Sequence, residues 1–207
     1  MRTRIGWHLK HSNAPHKGQA TVVDPIRRKR DVAEIKDHLQ GNARDYAIFT
    51  VGINTGLRAG DLLSLKFADV LTPDGLVKPK LTIVEQKTQK NRVIALGTKA
   101  REALAALCPK DMDDVDLDAY VFASRKGGRM TIQRLHQLIN KWAEAAGLKG
   151  NFGTHTLRKT FAYHILKQGS DINALMKILN HSSPSVTLRY AGIEQEDMDN
   201  VVLKLNL

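Results

Sequence analysis

Four short stretches of this chain carry side chains able to handle an anion or a proton. The first is H-T-L-R, His155 to Arg158. Residues three apart on a helix are neighbours, so this imidazole and guanidinium face the same place. The second is T-G-L-R-A-G-D, Thr55 to Asp61. Gly56 closes one helix and Arg58 opens the next. Asp61 stands one turn on, where its carboxylate either holds Arg58 for a purpose or forms an ordinary surface ion pair of little energetic weight. The third is Q-K-T-Q-K-N, Gln86 to Asn91. Its Lys87 and Lys90 serve equally as solubilising charge, as phosphate contacts, or as donors of a proton to a leaving oxygen. The fourth is L-N-H-S-S-P-S-V-T-L-R-Y, Leu179 to Tyr190. Alone, His181 reads as a helix-end histidine and Tyr190 as a core residue with its hydroxyl on a carbonyl. A free phenol, with a pKa of about 10, is a poor nucleophile at neutral pH unless its surroundings activate it.

The elements that must position these groups follow from periodicity. Val32, Ile35 and Leu39 share a helical face before Gly41. A second helix is expected over Ala43 to Asn54, with Tyr46, Phe49 and Ile53 inward, and a third from Arg58 with Leu62, Leu63 and Leu65. Pro73-Asp74-Gly75 marks a turn. Leu81 to Val84 and Arg92 to Leu96 are rich in β-branched residues, and the polar lysine stretch separates them. This predicts an antiparallel hairpin with a basic tip. Tyr120-Val121-Phe122 adds one more short strand, about three in all, and Thr98 caps a helix. The remainder is helical: Thr131 to Ala146, Thr154 to Gln168, Asp171 to Leu179, Val186 to Tyr190, and Glu194 to Leu205. The last is amphipathic, with Met198, Val201, Val202 and Leu205 on one side. The fold class is α+β, mostly helical, with a small antiparallel sheet at one edge.

Composition bounds the partners. The 207 residues suit one domain with tails: a basic flexible arm over 1–23, the main domain over 24–193, and a C-terminal helix over 194–207. The 32 Lys and Arg against 21 Asp and Glu give a net +11, which predicts nucleic acid first and an anionic membrane surface second. Residues 1 to 30 alone hold eight Lys or Arg and one Asp, a net +7. That segment reads either as a solvated tail or as an arm that lies on phosphates. Arg27, Arg28, Lys29 and Arg30 belong to it, and Arg134, Gln137 and Lys141 share a helix that can also face DNA. No apolar run approaches the ~20 residues of a spanning helix, and no secretory signal opens the chain. Cys108 is the single cysteine, so no intrachain disulfide forms, in agreement with a reducing cytoplasm. No H-E-x-x-H or carboxylate-rich cage stands among the eight histidines, so no metal is expected; His136 and His164 read as structural or surface residues.

T-G-L-R, a hairpin lysine, H-x-L-R, N-H-S-S and a terminal tyrosine, in this order, resemble the tyrosine recombinase, or phage integrase, family over roughly Asp24 to Ile193. The resemblance implies Tyr190 as nucleophile, Arg58 and Arg158 as phosphate clamps and His155 as acid/base. It implies His181 as a phosphate or proton-handling partner, and Lys87 as general acid with Lys90 in reserve. It implies a site-specific recombinase that cleaves and rejoins double-stranded DNA through a 3′-phosphotyrosyl link, without metal, cofactor or ATP. The expected setting is the bacterial cytoplasm, at the nucleoid, in a cell, phage or mobile element. A type IB-like topoisomerase and a non-catalytic DNA-binding regulator on the same fold are the competing readings. Asp61 stands where the family more often has Glu, and Asn180 where it often has Gly. The short basic arm resembles single-domain members that lack the N-terminal core-binding domain. Exchange between two duplexes implies a tetrameric ring on DNA, with the C-terminal helix as the head-to-tail contact and a monomer or weak oligomer when free.

Overall fold

The computed structural model describes residues 22–203 apart from Thr88, Lys110, Met112 and Asp114. The expected basic arm, except Val22 and Val23, lies outside the described residues, as does Leu205 of the C-terminal apolar face. The chain runs α1 (Lys29–Leu39), α2 (Ala43–Thr55), α3 (Ala59–Leu63), α4 (Phe67–Val70), β1 (Lys80–Val84), β2 (Asn91–Ala95), α5 (Thr98–Ala105), α6 (Ile132–Ala145), α7 (Thr156–Lys167), α8 (Ile172–Leu179), α9 (Pro184–Ala191) and α10 (Gln195–Leu203).

Two apolar clusters hold these elements. The larger takes Ile35 and Leu39 of α1, Ile48, Phe49 and Val51 of α2, Leu81 and Ile94 of the hairpin, Leu104 of α5, and Leu135, Leu138 and Trp142 of α6. The smaller joins Phe161 and Ala162 of α7 to Leu175 and Leu179 of α8 and Ala191 of α9. Helix α7 serves both, since its Leu157 belongs to the larger cluster. Close approach of α7 to α2 needs Gly52, where a Cβ would stand 2.7 Å from Leu157 Cδ1. Helix α2 is therefore buried on more than one face: Ala47, Ile48, Thr50 and Val51 are inside, while the expected inward residues Tyr46 and Ile53 are only half-buried.

Caps follow the local chemistry. The side chains of Asn42, Thr131, Asp171 and Ser183 accept backbone N–H groups at the starts of α2, α6, α8 and α9. Pro184 occupies the first turn of α9, where its missing N–H costs nothing. Thr98 does not cap α5; Gly97 holds that position and Thr98 is the first helical residue.

The sheet is smaller than expected. β1 and β2 pair antiparallel from Lys80↔Ala95 to Val84↔Asn91, with Leu81 and Ile94 inward. Tyr120-Val121-Phe122 does not add a third strand to it. Tyr120 makes one bridge to Lys66, while Val121 and Phe122 are buried as loop residues. The apolar character there is satisfied by burial rather than by pairing. Thr72 to Leu76 forms the expected turn, with Gly75 at positive φ.

Candidate active site

Arg58 caps α3 from an extended backbone, which aims its side chain past the helix start. Its Nη1 lies 2.7 Å from Glu85 Oε2 at the end of β1, but 3.9 Å from Asp61 Oδ2. The expected Asp61 partnership is thus the weaker one. Asp61 Oδ1 instead accepts the Gln86 N–H at 2.9 Å and ties the hairpin to α3. Glu85 is buried and also accepts from Arg92 Nη1 at 3.2 Å, so one carboxylate sits between two guanidiniums. Arg92 in turn donates to the Thr55 carbonyl at 3.4 Å. Burial pulls the Arg92 guanidinium below its ordinary range, and Glu85 opposes that pull.

Arg158 is 3% exposed and spans the seam between the two clusters. Its Nη1 donates to the Gly56 carbonyl at 2.6 Å and its Nη2 to the Leu179 carbonyl at 2.8 Å. Burial lowers its pKa to about 10, so it stays a cation at neutral pH. Gly56 presents that carbonyl from a left-handed turn, φ 59°, where a Cβ would overlap the Phe161 ring.

His155 caps α7, one turn before Arg158, and its Nδ1 stands 3.2 Å from the Tyr190 hydroxyl. Burial, then Arg158, Lys159, Arg58 and Lys87, hold its pKa below the ordinary histidine value. At neutral pH the ring is uncharged and Nδ1 can accept the phenolic proton. Burial pushes the Tyr190 phenol up, and the Arg158 and Arg58 charges pull against it. At neutral pH the tyrosine is therefore a protonated phenol.

His181 follows α8 across Asn180, which adopts the left-handed conformation at φ 53°. Asparagine is the common non-glycine residue there, so Asn180 supports the turn for which the family resemblance leads one to expect glycine. His181 stacks edge-on to Tyr190, ring centroids 4.9 Å apart. Its Nδ1 is 3.1 Å from Thr187 Oγ1, whose own proton goes to the Ser183 carbonyl at 3.2 Å. The Thr187 oxygen is therefore an acceptor for Nδ1–H, which leaves Nε2 as the unprotonated nitrogen of the neutral ring. Burial, Arg158 and Arg58 lower the His181 pKa.

The chain matches the model of the Phage integrase family over residues 28–196. It belongs to that family. It is 39% identical over 178 residues to the probable integrase/recombinase YoeC of Bacillus subtilis (strain 168), covering 84% of this chain and 92% of that protein. It is 30% identical over 187 residues to the tyrosine recombinase XerC of Thermodesulfovibrio yellowstonii, covering 87% of this chain but 60% of that protein. Among solved structures, XerA recombinase shares the fold with a TM-score of 0.72 at 24% identity, over 94% of this chain and 67% of that one. A lambda integrase dimer bound to a COC′ core site shares it with a TM-score of 0.62 at 20% identity, over 84% and 61%. The mostly helical fold with its small antiparallel hairpin is that of a tyrosine-recombinase catalytic domain.

The remaining expected residues of this integrase-family chain fall in three places. Lys87 is exposed at the hairpin tip, and its charge reaches His155. Lys90 lines a cavity of about 580 Å³ with Arg92, Lys177 and Asn180, on the α8 side of the hairpin. Arg134 and Lys141 rim a cavity of about 380 Å³ with Arg44 and Arg125, and Arg134 also bonds Gln137. Arg27 is engaged within the protein: it ion-pairs with Glu194 and with Asp197, and its guanidinium lies 5.5 Å from the Tyr163 ring centroid. Arg28 pairs with Asp31 at 2.8 Å, while Lys29 and Arg30 remain exposed. His164 bonds the Ile26 carbonyl and His136 contacts Asn140, as structural residues do. Among the described residues no helix is long and apolar enough to cross a membrane, and no group of three potential ligands could hold a metal. Glu85, Arg92 and Lys159 adjoin the candidate site through Arg58 and the Tyr190 ring, and the sequence alone did not single them out. The detectable signal was a glutamate just past the strand end, two residues on from Ile83, which pairs with Arg92 of the return strand.

Proposed function

We propose that this chain is a site-specific DNA recombinase that cleaves and rejoins strands through a covalent link on Tyr190. The observation that carries this is the Tyr190 hydroxyl at 3.2 Å from His155 Nδ1, with Arg158 and Arg58 both acting on its charge. The scissile phosphate sits between the two guanidiniums, which neutralise charge growing on its non-bridging oxygens. Tyr190 Oη forms a bond to phosphorus as its proton passes to His155 Nδ1. The P–O5′ bond breaks, and Lys87 gives the leaving oxygen its proton. The product is a 3′-phosphotyrosyl link and a free 5′ hydroxyl. A second 5′ hydroxyl reverses the step without ATP, because the phosphodiester's bond energy is conserved. The guanidiniums fill the charge role that a divalent cation plays in metal-dependent nucleases. His181 Nε2 becomes a phosphate donor once the ring takes a second proton, which a bound anion favours.

The DNA partner follows from net charge and from the cations on the surface. Lys29, Arg30, Arg134 and Lys141 are exposed and can track phosphates, although Arg30 and Arg134 would exchange surface contacts with Asp31 and Gln137 to do so, and the arm would add to them. Met198, Val201 and Val202 of α10 are 50%, 71% and 70% exposed, which supports docking on a neighbouring protomer in a tetrameric synapse. That exposure favours the recombinase over an enzyme that merely nicks and reseals one duplex.

A suicide duplex, nicked beside the scissile phosphate, tests the reading. The wild-type chain should form an adduct stable to denaturation, and Tyr190→Phe should form none. An adduct that persists in Tyr190→Phe would place the nucleophile elsewhere.

A further inference from the structure

Residues 22–28 cross α7 before α1 begins, and they are pinned to it at successive points. Lys159 Nζ donates to the Val23 carbonyl at 2.7 Å. The Ile26 N–H donates to Thr160 Oγ1 at 2.8 Å, and His164 Nε2 lies 3.0 Å from the Ile26 carbonyl. The start of this strap is fixed from the other side by Asn151. Asp24 N–H donates to the Asn151 carbonyl at 2.7 Å, the Asn151 N–H donates to Asp24 Oδ2 at 2.9 Å, and Asn151 Nδ2 donates to the Val22 carbonyl at 2.8 Å.

Lys159 is the point where the strap meets the active site. It is 6% exposed, one helical turn beyond His155, and its Nζ lies 5.9 Å from the centroid of the Tyr190 ring. Val22, Val23, Asn151, His155, Lys159 and Tyr190 line one cavity of about 530 Å³. A buried ammonium must be hydrogen-bonded to stay charged there, and the strap carbonyl supplies such a bond. The charge also attracts the face of the aromatic ring beside it. One side chain therefore contacts the strap at one side and the tyrosine at the other.

We propose that Lys159 is a positioning residue for Tyr190 and that the strap sets it. With the strap seated, the Val23 carbonyl holds the ammonium against the Tyr190 ring, and the hydroxyl stays aligned on His155. With the strap lifted, the ammonium loses that anchor and the ring loses its support on that side. Residues 1–21 precede the strap in the sequence and contain four Lys or Arg. This inference rests on the reading of Tyr190 as the nucleophile.

The test is single-turnover adduct formation by the full chain at saturating suicide duplex, with DNA affinity and the melting temperature measured alongside. Lys159→Met keeps the apolar stem and removes the charge; it should slow adduct formation about tenfold with DNA affinity within about twofold. Lys159→Arg should recover most of the rate. Asn151→Ala removes the side-chain bond to the Val22 carbonyl, keeps the two bonds its backbone makes with Asp24, and should slow the step about twofold to threefold, yet have no further effect in the Lys159→Met background, because both act through one contact. Rate factors that multiply in the double variant would overturn the proposal, and so would a wild-type rate in Lys159→Met. Where Lys159→Met fails to fold, 3-fluorotyrosine labelling of the Asn151→Ala chain decides. Its Tyr190 resonance, assigned by its loss in Tyr190→Phe, must shift; an unmoved resonance overturns the coupling. An adduct in Tyr190→Phe would instead sink the nucleophile assignment on which this rests, so the two failures are distinguishable.

Discussion

Replacing Glu85 by Gln tests the charge arrangement directly. The Glu85 side chain is 4% exposed and lies 2.7 Å from Arg58 and 3.2 Å from Arg92, whose own side chains are 20% and 13% exposed. Glutamine keeps the shape and one acceptor but leaves two guanidiniums facing each other without their shared carboxylate. At an effective dielectric of about 20, each ion pair is worth about 4 kcal/mol before desolvation is subtracted. Removing one partner from a buried pair typically costs about 3–5 kcal/mol, because the remaining charge loses its compensation. The retained amide oxygen puts the expected loss at the lower end, about 3 kcal/mol, or about 6–12 °C in melting temperature for a chain of this length. The two freed cations should hold an incoming phosphate at least as well as before. DNA affinity should therefore persist or rise, while adduct formation falls about tenfold as Arg58 loses its anchor. Urea unfolding, a binding titration and the suicide-duplex assay read the three quantities. An unfolding free energy within about 1 kcal/mol of wild type would refute the buried-network account. A DNA affinity that collapses with stability would refute the charge argument.

Gly56→Ala should destabilise the fold by about 2–4 kcal/mol in urea unfolding and slow adduct formation, since it places a Cβ in a left-handed turn against Phe161 and moves the carbonyl that receives Arg158. Burial lowers the pKa of His155, His164 and His181 in the folded protein. As pH falls below the ordinary histidine value of about 6.5 the unfolded chain takes up protons first, so stability present above that value is lost as pH drops through the depressed folded values. Urea midpoints should fall between about pH 8 and pH 5.5, and His164→Gln, away from the site, should remove part of the fall. Deleting residues 1–21 removes four Lys or Arg. If the arm lies on DNA, the slope of log affinity against log salt should shallow by about 3 to 4, and an unchanged slope would leave it a solvated tail.

Much of the frame was legible because it is local. The β-branched runs around Gln86 to Asn91 pair as read, with Leu81 and Ile94 inward. The helices expected from Thr131 and from Asp171 are α6 and α8, each capped by that residue, whereas the expected cap at Thr98 fell to Gly97. What was misread depends on tertiary context. Tyr120-Val121-Phe122 has strand composition, but Phe122 is fully buried and the segment gains from the core what a strand would gain from pairing. Tyr46 and Ile53 were expected inside α2 because one face was assumed to be buried. Gly52 lets α7 pack on a second face, and no window within α2 reports that.

The site residues divide in the same way, and the division follows the two apolar clusters. H-T-L-R lies on α7, which packs in both clusters, and Arg158 bonds the Gly56 carbonyl on one side and the Leu179 carbonyl on the other. Arg58 belongs to the side of the larger cluster, while His181 and Tyr190 belong to the α8–α9 side. Each stretch is readable alone because its helix start or turn is encoded within a few residues. Their meeting is not, since it needs both clusters docked along α7. Glu85 is the sharpest instance. Its partners are Arg58, on a helix start far back in the chain, and Arg92, on the return strand, and a buried glutamate at the end of β1 has no local reason to exist. A carboxylate placed there costs desolvation energy unless two cations meet it. Its burial therefore depends on Arg58 and Arg92 standing beside it, and on the proposed reading that close pair is preorganised for the charge of a pentacoordinate phosphate.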